Sequence, residues 1–434
     1  PQHLTHPTRA PPPGGPPMTR VLVVNAFERG NRGDAALLSV LLDQIRRALP
    51  GARIAIAGFE HPERWPEFEG VPNLGSFRRY SGEENIPRFR RILRKLSLLP
   101  IVALAAARLP RRTLLAVARL LPAEPRRELH ALATADLVIS TGGGFLHGRP
   151  NFASDLNILF LLLPLWLAER FGVRVVTGPQ SYGPFPRRVQ RVLVRHVLGR
   201  ADAVLVREDI SRDRLTEIGL PSRLLTRSVD SAFAFQTRSD RDWRTALGIP
   251  AGARIAMVTA RQWLDEPGQH RYEHALTAGI RHLLGRGYHV VLVPQVTCAF
   301  QGDDDRRVNT RLAAGLEHPR LRVLGDDTFD HRDARALYAE ADLVIGTRFH
   351  SVIFALTAHV PCLAIEYEHK TGGIMRDLGL EQWVVGIGEV RDTTLPTLLD
   401  SLIDHRENYR RHLREVLPPY ALRARDLSPL LDAA

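Results

Sequence analysis

The sequence predicts an α/β protein built from two doubly wound, Rossmann-like halves that face one cleft. Three observations carry this. Short β-branched runs alternate with longer amphipathic stretches along most of the chain, the pattern of a parallel sheet covered by helices on both faces. A length of 434 residues suits two such units. Finally, Ala135-Asp-Leu-Val-Ile-Ser-Thr-Gly-Gly-Gly is echoed 206 positions later by Ala341-Asp-Leu-Val-Ile-Gly-Thr-Arg-Phe-His, as a strand followed by a sharp turn.

Residues 1–17 are Pro-rich and without apolar period, and read as a disordered extension. In the first half, 18–236, strands are expected over 21–25, 53–58, 136–140, 173–178 and 203–206. In the second, 237–434, they are expected over 254–260, 288–294, 321–324, 342–346 and 362–366. A linker is expected over 235–244, where charged residues interrupt the apolar period. Open α/β sheets bind ligands beyond the carboxyl ends of their strands, so the turns after these strands are where chemistry is expected.

Composition narrows the classes. Apolar residues make up 44% of the chain, enough for sizeable cores. Two cysteines, Cys298 and Cys362, allow neither a disulfide framework nor a Cys-based metal site, and a reducing, cytoplasmic setting is expected. The apolar stretches 158–168 and 96–107 are too short or too interrupted to span a bilayer. The formal charge is +12, and Lys95 and Lys370 are the only lysines. Between Arg78 and Arg127 stand 13 Arg or Lys against three Glu. With no RNA-binding motif of interleaved aromatics, nucleic acid is not an expected partner. Over 92–121, Arg mixed with Leu and Ala in helix-compatible runs fits either a helix at the inner face of a membrane or an Arg-rich solvated helix packed on the core.

Several turns have the residues for a site. Gly30-Asn31-Arg32-Gly33-Asp34 opens a helix whose exposed amides suit an anion or sugar hydroxyls, or Asp34 simply caps that helix; the spacing is not that of a dinucleotide fingerprint. Ser140-Thr-Gly142-Gly143-Gly144, followed by His147, is an entropically costly strand exit that close ligand approach would explain. Gly178-Pro-Gln180-Ser181-Tyr182-Gly-Pro184 reads as a rigid turn offering an amide and two hydroxyls. Arg207 ends a strand, where a salt bridge competes with a ligand role. Arg261 and Arg348 end strands of the second half, and two such guanidiniums suit a small dianion. His350 opens the helix after Arg348; a helix N-terminus disfavours its charged form, so acid chemistry there needs an anionic substrate or Glu366 nearby. Lys370 lies in the turn after Glu366. The run Asp303-Asp304-Asp305 reads as a solvated loop rather than a metal site.

Taken together, Asn31-x-Gly-Asp34, Ile139 to Gly144, Gln180-Ser181-x-Gly-Pro184, Arg207-Glu208-x-x-Ser211, Asp230-x-Ala-Phe233, Arg261, Arg348-x-His350 and Glu366-Tyr-x-x-Lys370 resemble, in order, the polysaccharide pyruvyl transferase family. The resemblance implies a GT-B-like fold with the acceptor glycan on the N-terminal half and phosphoenolpyruvate on the C-terminal half. It implies that Arg348 and His350 contact the donor, with His350 as acid/base, and that Arg261, Arg207 and Lys370 assist in donor binding. Asn31, Asp34, Gly143, Gly144, His147, Gln180 and Ser181 are then expected on the acceptor side, with phosphoenolpyruvate as co-substrate and no metal or other cofactor. A nucleotide-sugar glycosyltransferase of the same fold is the rival, because Ala355-Leu356 and Val360-Pro361 before the Glu366 turn also suit a nucleotide-sugar donor.

Overall fold

The computed structural model describes residues 18–82, 87–107, 110–236, 239–298, 303–325 and 329–426; the extension expected at 1–17 lies outside them. The N-terminal part contains strands β1 (Arg20–Ala26), β2 (Arg53–Gly58), β3 (Glu67–Phe68), β4 (Val71–Pro72), β5 (Leu137–Ser140), β6 (Gly143–Leu146), β7 (Arg174–Tyr182), β8 (Ala203–Val206) and β9 (Leu225–Arg227). Its helices are α1 (Arg32–Ala48), α2 (Phe77–Gly82), α3 (Arg88–Ala106), α4 (Arg111–Ala118), α5 (Ala123–Thr134), α6 (Phe152–Arg170), α7 (Arg188–Leu198) and α8 (Asp209–Glu217). The main sheet runs β2-β1-β5-β7-β8-β9, with β6 alongside β7, and every pairing in it is parallel.

The C-terminal part contains β10 (Ile255–Thr259), β11 (His289–Leu292), β12 (Thr297–Cys298), β13 (Asp303–Asp304), β14 (Leu321–Val323), β15 (Leu343–Gly346), β16 (Cys362–Glu366) and β17 (Val384–Gly386). Between and after them come α9 (Trp243–Leu247), α10 (Glu266–Gly285), α11 (Asp305–Ala314), α12 (Ala334–Ala339), α13 (Phe349–Thr357), α14 (His369–Asp377) and α15 (Leu395–Arg425). Its sheet, β14-β11-β10-β15-β16-β17, is also wholly parallel. The central strands are Val-, Ile- and Leu-rich and buried along their length, as a sheet covered on both faces requires.

Each sheet reverses its winding beside its first strand, between β1 and β5 in one and between β10 and β15 in the other. Crevices form at such switch points. The two echoed segments supply β5 and β15, so the echo marks the equivalent strand of each sheet. The turns bearing Asn31 and Gly142–Gly144 therefore leave one switch point, and those bearing Arg261 and Arg348 leave the other.

Helix α1 is shared between the parts. Its Ala36, Leu37 and Val40 belong to the same apolar cluster as Ile255, Val258 and Phe354. Buried Arg32 donates to the Phe329 carbonyl and to Thr297 Oγ1 at 2.7 Å. The end of α15 returns to the N-terminal part, where Gln44 Nε2 donates to the Ala424 carbonyl at 2.9 Å.

Two local expectations change. The segment 178–184 is not wholly a turn, because β7 continues through Tyr182, whose hydroxyl is bonded to Thr177 and whose amide donates to Ser211 Oγ. Nor is Phe235, at the start of the expected linker, in a solvated stretch; it is buried in the C-terminal core. By length and composition α6 could cross a membrane, yet its Leu161, Leu162, Leu163, Leu165 and Leu167 fill the core beneath the N-terminal sheet.

Candidate active site

A cleft of about 790 Å³ lies where the two switch points meet, within the range typical of small-molecule sites. Asn31, Asp34, Gly144, His147 and Arg207 line it from the N-terminal side, and Arg261, Arg348, His350 and Lys370 from the C-terminal side. These nine of the twelve expected site residues converge. The other three do not reach the cleft. Gln180 is buried within β7, Gly143 lies in β6 behind the wall, and Ser181 Oγ accepts from Arg207 Nε at 2.7 Å. They support the wall instead of presenting groups to a ligand, because β7 continues as strand through Tyr182 and pairs with β6 at Gly143.

On the N-terminal side the cap of α1 is Asn31, not Asp34. Its Oδ1 accepts from the Asp34 amide at 3.3 Å, and its Nδ2 donates to Asp34 Oδ2 at 2.7 Å. Asp34 is thereby aimed into the cleft, and burial pushes its pKa up to about 6 although Lys370 and Arg207 pull the other way. Such a carboxyl is ionised at neutral pH but holds a proton just below it, as a proton acceptor for a hydroxyl should. Gly144 is needed for close approach: a Cβ there would stand 3.1 Å from Arg207 Nη2 and 3.3 Å from Lys370 Nζ. His147, exposed on the rim, hydrogen-bonds through Nδ1 with the Gly144 carbonyl at 3.1 Å.

The C-terminal side is organised by acids that sequence reasoning placed in solvent. Arg348 Nε donates to Asp305 at 2.9 Å and Nη1 to Asp303 at 2.9 Å, while Nη2 donates to both. Asp305 is fully buried at the start of α11. Four of the five N–H groups of Arg348 are thus committed, and the two carboxylates hold its pKa above the ordinary arginine value despite burial. Asp303 and Asp305 are therefore a strut for Arg348, a role invisible in sequence because they lie 45 and 43 positions from it, while Asp304 between them pairs with Arg306.

Arg261 is differently held. Its guanidinium lies against the rings of Tyr367, at 4.1 Å, and Trp263, at 4.5 Å, which also touch each other. Its Nη2 approaches Asp303 at 3.5 Å, and its buried Nε has no hydrogen-bond partner among the described residues. Phe349 plays a matching role across the junction, with Arg207 at 4.6 Å and Lys370 at 5.4 Å from its ring centre. Arg207 is also bonded to Asp230, so the ion pair expected of it and its place in the cleft wall coexist. Lys370 pairs with Glu368 at 2.9 Å.

His350 sits in the first turn of α13. The nearby carboxylate is Asp230, 3.9 Å from Nε2, and not Glu366, which accepts from the Gly372 amide. Burial lowers the His350 pKa to about 4, with Asp230 opposing and Arg207 and Lys370 reinforcing the shift, so the imidazole is neutral at pH 7. Nε2 is buried without a hydrogen-bond partner among the described residues. The ring also lies against α1: a Cβ on Gly33 would come within 1.9 Å of Nδ1 and 2.6 Å of the His350 Cβ. Glycine in the Asn-x-Gly-Asp turn is explained by this contact from the other half of the chain.

Residues 31–369 match the family described as polysaccharide pyruvyl transferase. The chain belongs to the polysaccharide pyruvyl transferase family. It is thus a transferase of polysaccharide biosynthesis. Among curated proteins it is similar to the amylovoran biosynthesis protein AmsJ of Erwinia amylovora, 24% identical over 420 residues, spanning 91% of this chain and 94% of that one. Its fold is GT-B-like. It resembles the MnaA–UDP structure from S. aureus, with a TM-score of 0.58, 13% identity and coverage of 96% and 98% of the two chains. It also resembles the UDP-GlcNAc 2-epimerase of Neisseria meningitidis, with a TM-score of 0.56, 11% identity and coverage of 96% and 100%. Among the described residues no group of three or more His, Cys, Asp or Glu is arranged to hold a metal ion.

Proposed function

We propose that this transferase moves the pyruvyl unit of phosphoenolpyruvate onto two hydroxyls of a sugar in a lipid-linked exopolysaccharide precursor, at the cytoplasmic face of the membrane. The observation that carries the reading is that Arg261 Nε and His350 Nε2, two of the three buried nitrogens without a hydrogen-bond partner on described residues lining this cleft (the third is Gln295 Nε2), both belong to basic side chains. Buried polar groups are normally satisfied, and an anionic donor would satisfy both. Family membership, and the similarity to a protein named for amylovoran biosynthesis, support the polysaccharide context.

The charges of the site suit the chemistry. Phosphoenolpyruvate carries a phosphate and a carboxylate, which would face Arg261 and the free N–H of Arg348. Their negative charge, added to that of Asp230, raises the pKa of His350 from its resting value of about 4 and lets it bind a proton. His350 then protonates the terminal carbon of the enol, and one sugar hydroxyl attacks the adjacent carbon. Asp34 accepts the proton of that hydroxyl. Cleavage of the carbon–oxygen bond to phosphate regenerates an oxocarbenium-like centre, attack by the second hydroxyl closes the ketal, and its proton leaves with inorganic phosphate. One proton is retained on carbon and one on phosphate, so the exchange balances without a redox or metal cofactor. Arg207 and Lys370, which come together beside Gly144 and the ring of Phe349, stabilise the departing negative charge.

Thermal-shift titration tests the donor: stabilisation by phosphoenolpyruvate, and none by UDP or GDP, is expected. The reverse pattern would transfer the cleft to a nucleotide-sugar donor. With an accepted glycan, His350→Ala should abolish phosphate release while preserving the unfolding midpoint to within a few degrees; turnover near the native rate would remove His350 from the mechanism.

A further inference from the structure

We propose that the outer face of α3, continued by the first turn of α6, is a docking surface for an anionic lipid bilayer, and that it seats the cleft beside the membrane. Helix α3 has two apolar faces. One is ordinary: Leu98, Ile101 and Ala105 are buried against the N-terminal core. The other holds Phe89, Ile92, Leu93, Leu96 and Leu99, spaced at i, i+3, i+4, i+7 and i+10, and these are 44–60% exposed. A helix needs only one apolar stripe to pack on a core. Large apolar side chains aligned on the solvent side mark an interaction surface.

The surrounding charge identifies the occupant. Arg90, Arg111, Arg112, Arg119, Arg126 and Arg127 are exposed on α3, α4, α5 and the turns between them. Over the described residues of 87–127 the only carboxylate is Glu124, which is already bridged to Arg79. A bulky apolar stripe flanked by guanidiniums is the composition of a helix lying in a lipid interface, with its apolar side chains among the acyl chains and its cations at anionic headgroups. A second copy of the chain is a poor occupant, because a symmetric contact through this face would bring the same unneutralised arginines together.

The position of the surface gives it a use. Helix α2 packs on α3 and contributes Arg78 to the cleft wall. Helix α6 contacts α3 as well; its Ala153, Ser154 and Asn157 line the cleft, whereas Phe152 beside them is 67% exposed. Of the elements that would touch lipid, α6 therefore also lines the cleft, and α3 is joined to the cleft wall through its contacts with α2 and α6. A bilayer on this face would therefore lie against elements that pack on the cleft wall.

The test is co-sedimentation of the full chain with vesicles of phosphatidylglycerol and phosphatidylcholine, against vesicles of phosphatidylcholine alone, in 0.1 M salt. The chain should sediment with the anionic vesicles only and be released at 0.5 M salt. Leu93→Glu/Leu96→Glu should lower the bound fraction at least tenfold with an unchanged unfolding midpoint, since both side chains face solvent in the free protein. Arg111→Glu/Arg112→Glu, which leaves the stripe intact, should weaken binding to anionic vesicles in the same direction. The proposal fails if the native chain stays in the supernatant, or if both variants sediment as the native chain does. It also fails if sedimentation velocity finds a dimer that Leu93→Glu/Leu96→Glu dissociates, which would assign the face to self-association. None of these outcomes depends on the donor, because neither variant touches the cleft.

Discussion

Replacing Gly33 by Ala isolates the contact on which the junction of the two halves turns. The added Cβ would stand 1.9 Å from His350 Nδ1, 2.2 Å from Cγ and 2.6 Å from Cβ, whereas ordinary van der Waals contact begins near 3.4 Å. Nδ1 must therefore retreat by the difference, 1.5 Å, and because the His350 Cβ is itself too close, rotation about the side chain cannot supply it all. Overpacking of this kind costs roughly 1–3 kcal/mol. The substitution would otherwise be mildly favourable, since Ala in place of helical Gly gains up to about 1 kcal/mol. A double-mutant cycle in urea separates the two effects. Gly33→Ala should destabilise the native chain by about 1–2 kcal/mol but be neutral or stabilising when His350 is already Ala. Phosphate release by the single variant should fall on the order of a hundredfold, the penalty for displacing a reacting group by about 1 Å or more. Equal stability changes in both backgrounds would show that His350 does not occupy this space, and the assignment of Gly33 would be lost with it.

The other groups of the cleft give sharp expectations of their own. The folded pKa of His350 lies near 4, below its ordinary 6.5, so it stabilises the fold above pH 6.5 and that contribution is lost as the pH falls towards 4. Phosphoenolpyruvate should reverse the shift, and calorimetry at pH 7 in buffers of different ionisation enthalpy should register proton uptake that His350→Gln eliminates; heats independent of buffer would exclude such uptake. Asp34 has the opposite sign, since its folded pKa of about 6 exceeds 3.8. Stability is present below 3.8 and lost as the pH rises through 6, so Asp34→Asn should raise the unfolding midpoint at pH 7.5 and have a smaller effect near pH 4. A gain of equal size at both pH values would count against a strained carboxylate. Asp305→Ala strips a buried partner from Arg348 and should cost roughly 3–5 kcal/mol, measured by urea unfolding; a cost under about 1 kcal/mol would mean that Asp303 alone suffices.

Much of the architecture was readable because hydrophobic periodicity is a local property. Nine of the ten expected strands end within two residues of the observed ones; the exception is 173–178, which runs four residues further because Gln180 and Tyr182 pair onward with β6 and β8. The short edge strands β9 and β17, of three residues each, had too few residues to show a period. In the site, the strand-end rule found Arg261, Arg348 and His350 because a strand's last residue and the next turn have a fixed relation to the sheet. What the rule cannot supply is which distant residue meets them. Asp230 was visible only as part of an ordered motif, and Asp303 and Asp305 looked like a solvated run because three adjacent acids are usually hydrated. Their use against one arginine depends on the antiparallel pairing of β12 with β13, which sets Asp303 and Asp304 beside Thr297 and Cys298, a tertiary fact with no local signature.

The two arginines of that switch point illustrate how similar sequence positions come to do different work. Both follow neighbouring parallel strands, yet Arg348 gives four of its five N–H groups to two carboxylates and Arg261 rests against two aromatic rings. Ring stacking fixes a guanidinium in place while leaving its edge able to take an anion, whereas a bidentate carboxylate neutralises the charge it orients. If the cleft takes phosphoenolpyruvate, Arg261 is expected to be its principal cation and Arg348 chiefly a positioning residue for the helix that carries His350. Lysine substitutions distinguish these roles, since each keeps the charge and loses the planar fork. Arg261→Lys should retain the native unfolding midpoint but lose at least tenfold in phosphoenolpyruvate affinity by thermal-shift titration. Arg348→Lys should lose stability first, leaving Asp305 with a poorer partner. If instead Arg348→Lys folds as the native chain does and alone loses the donor, the carboxylates must release Arg348 on binding, and the division of labour drawn here is inverted.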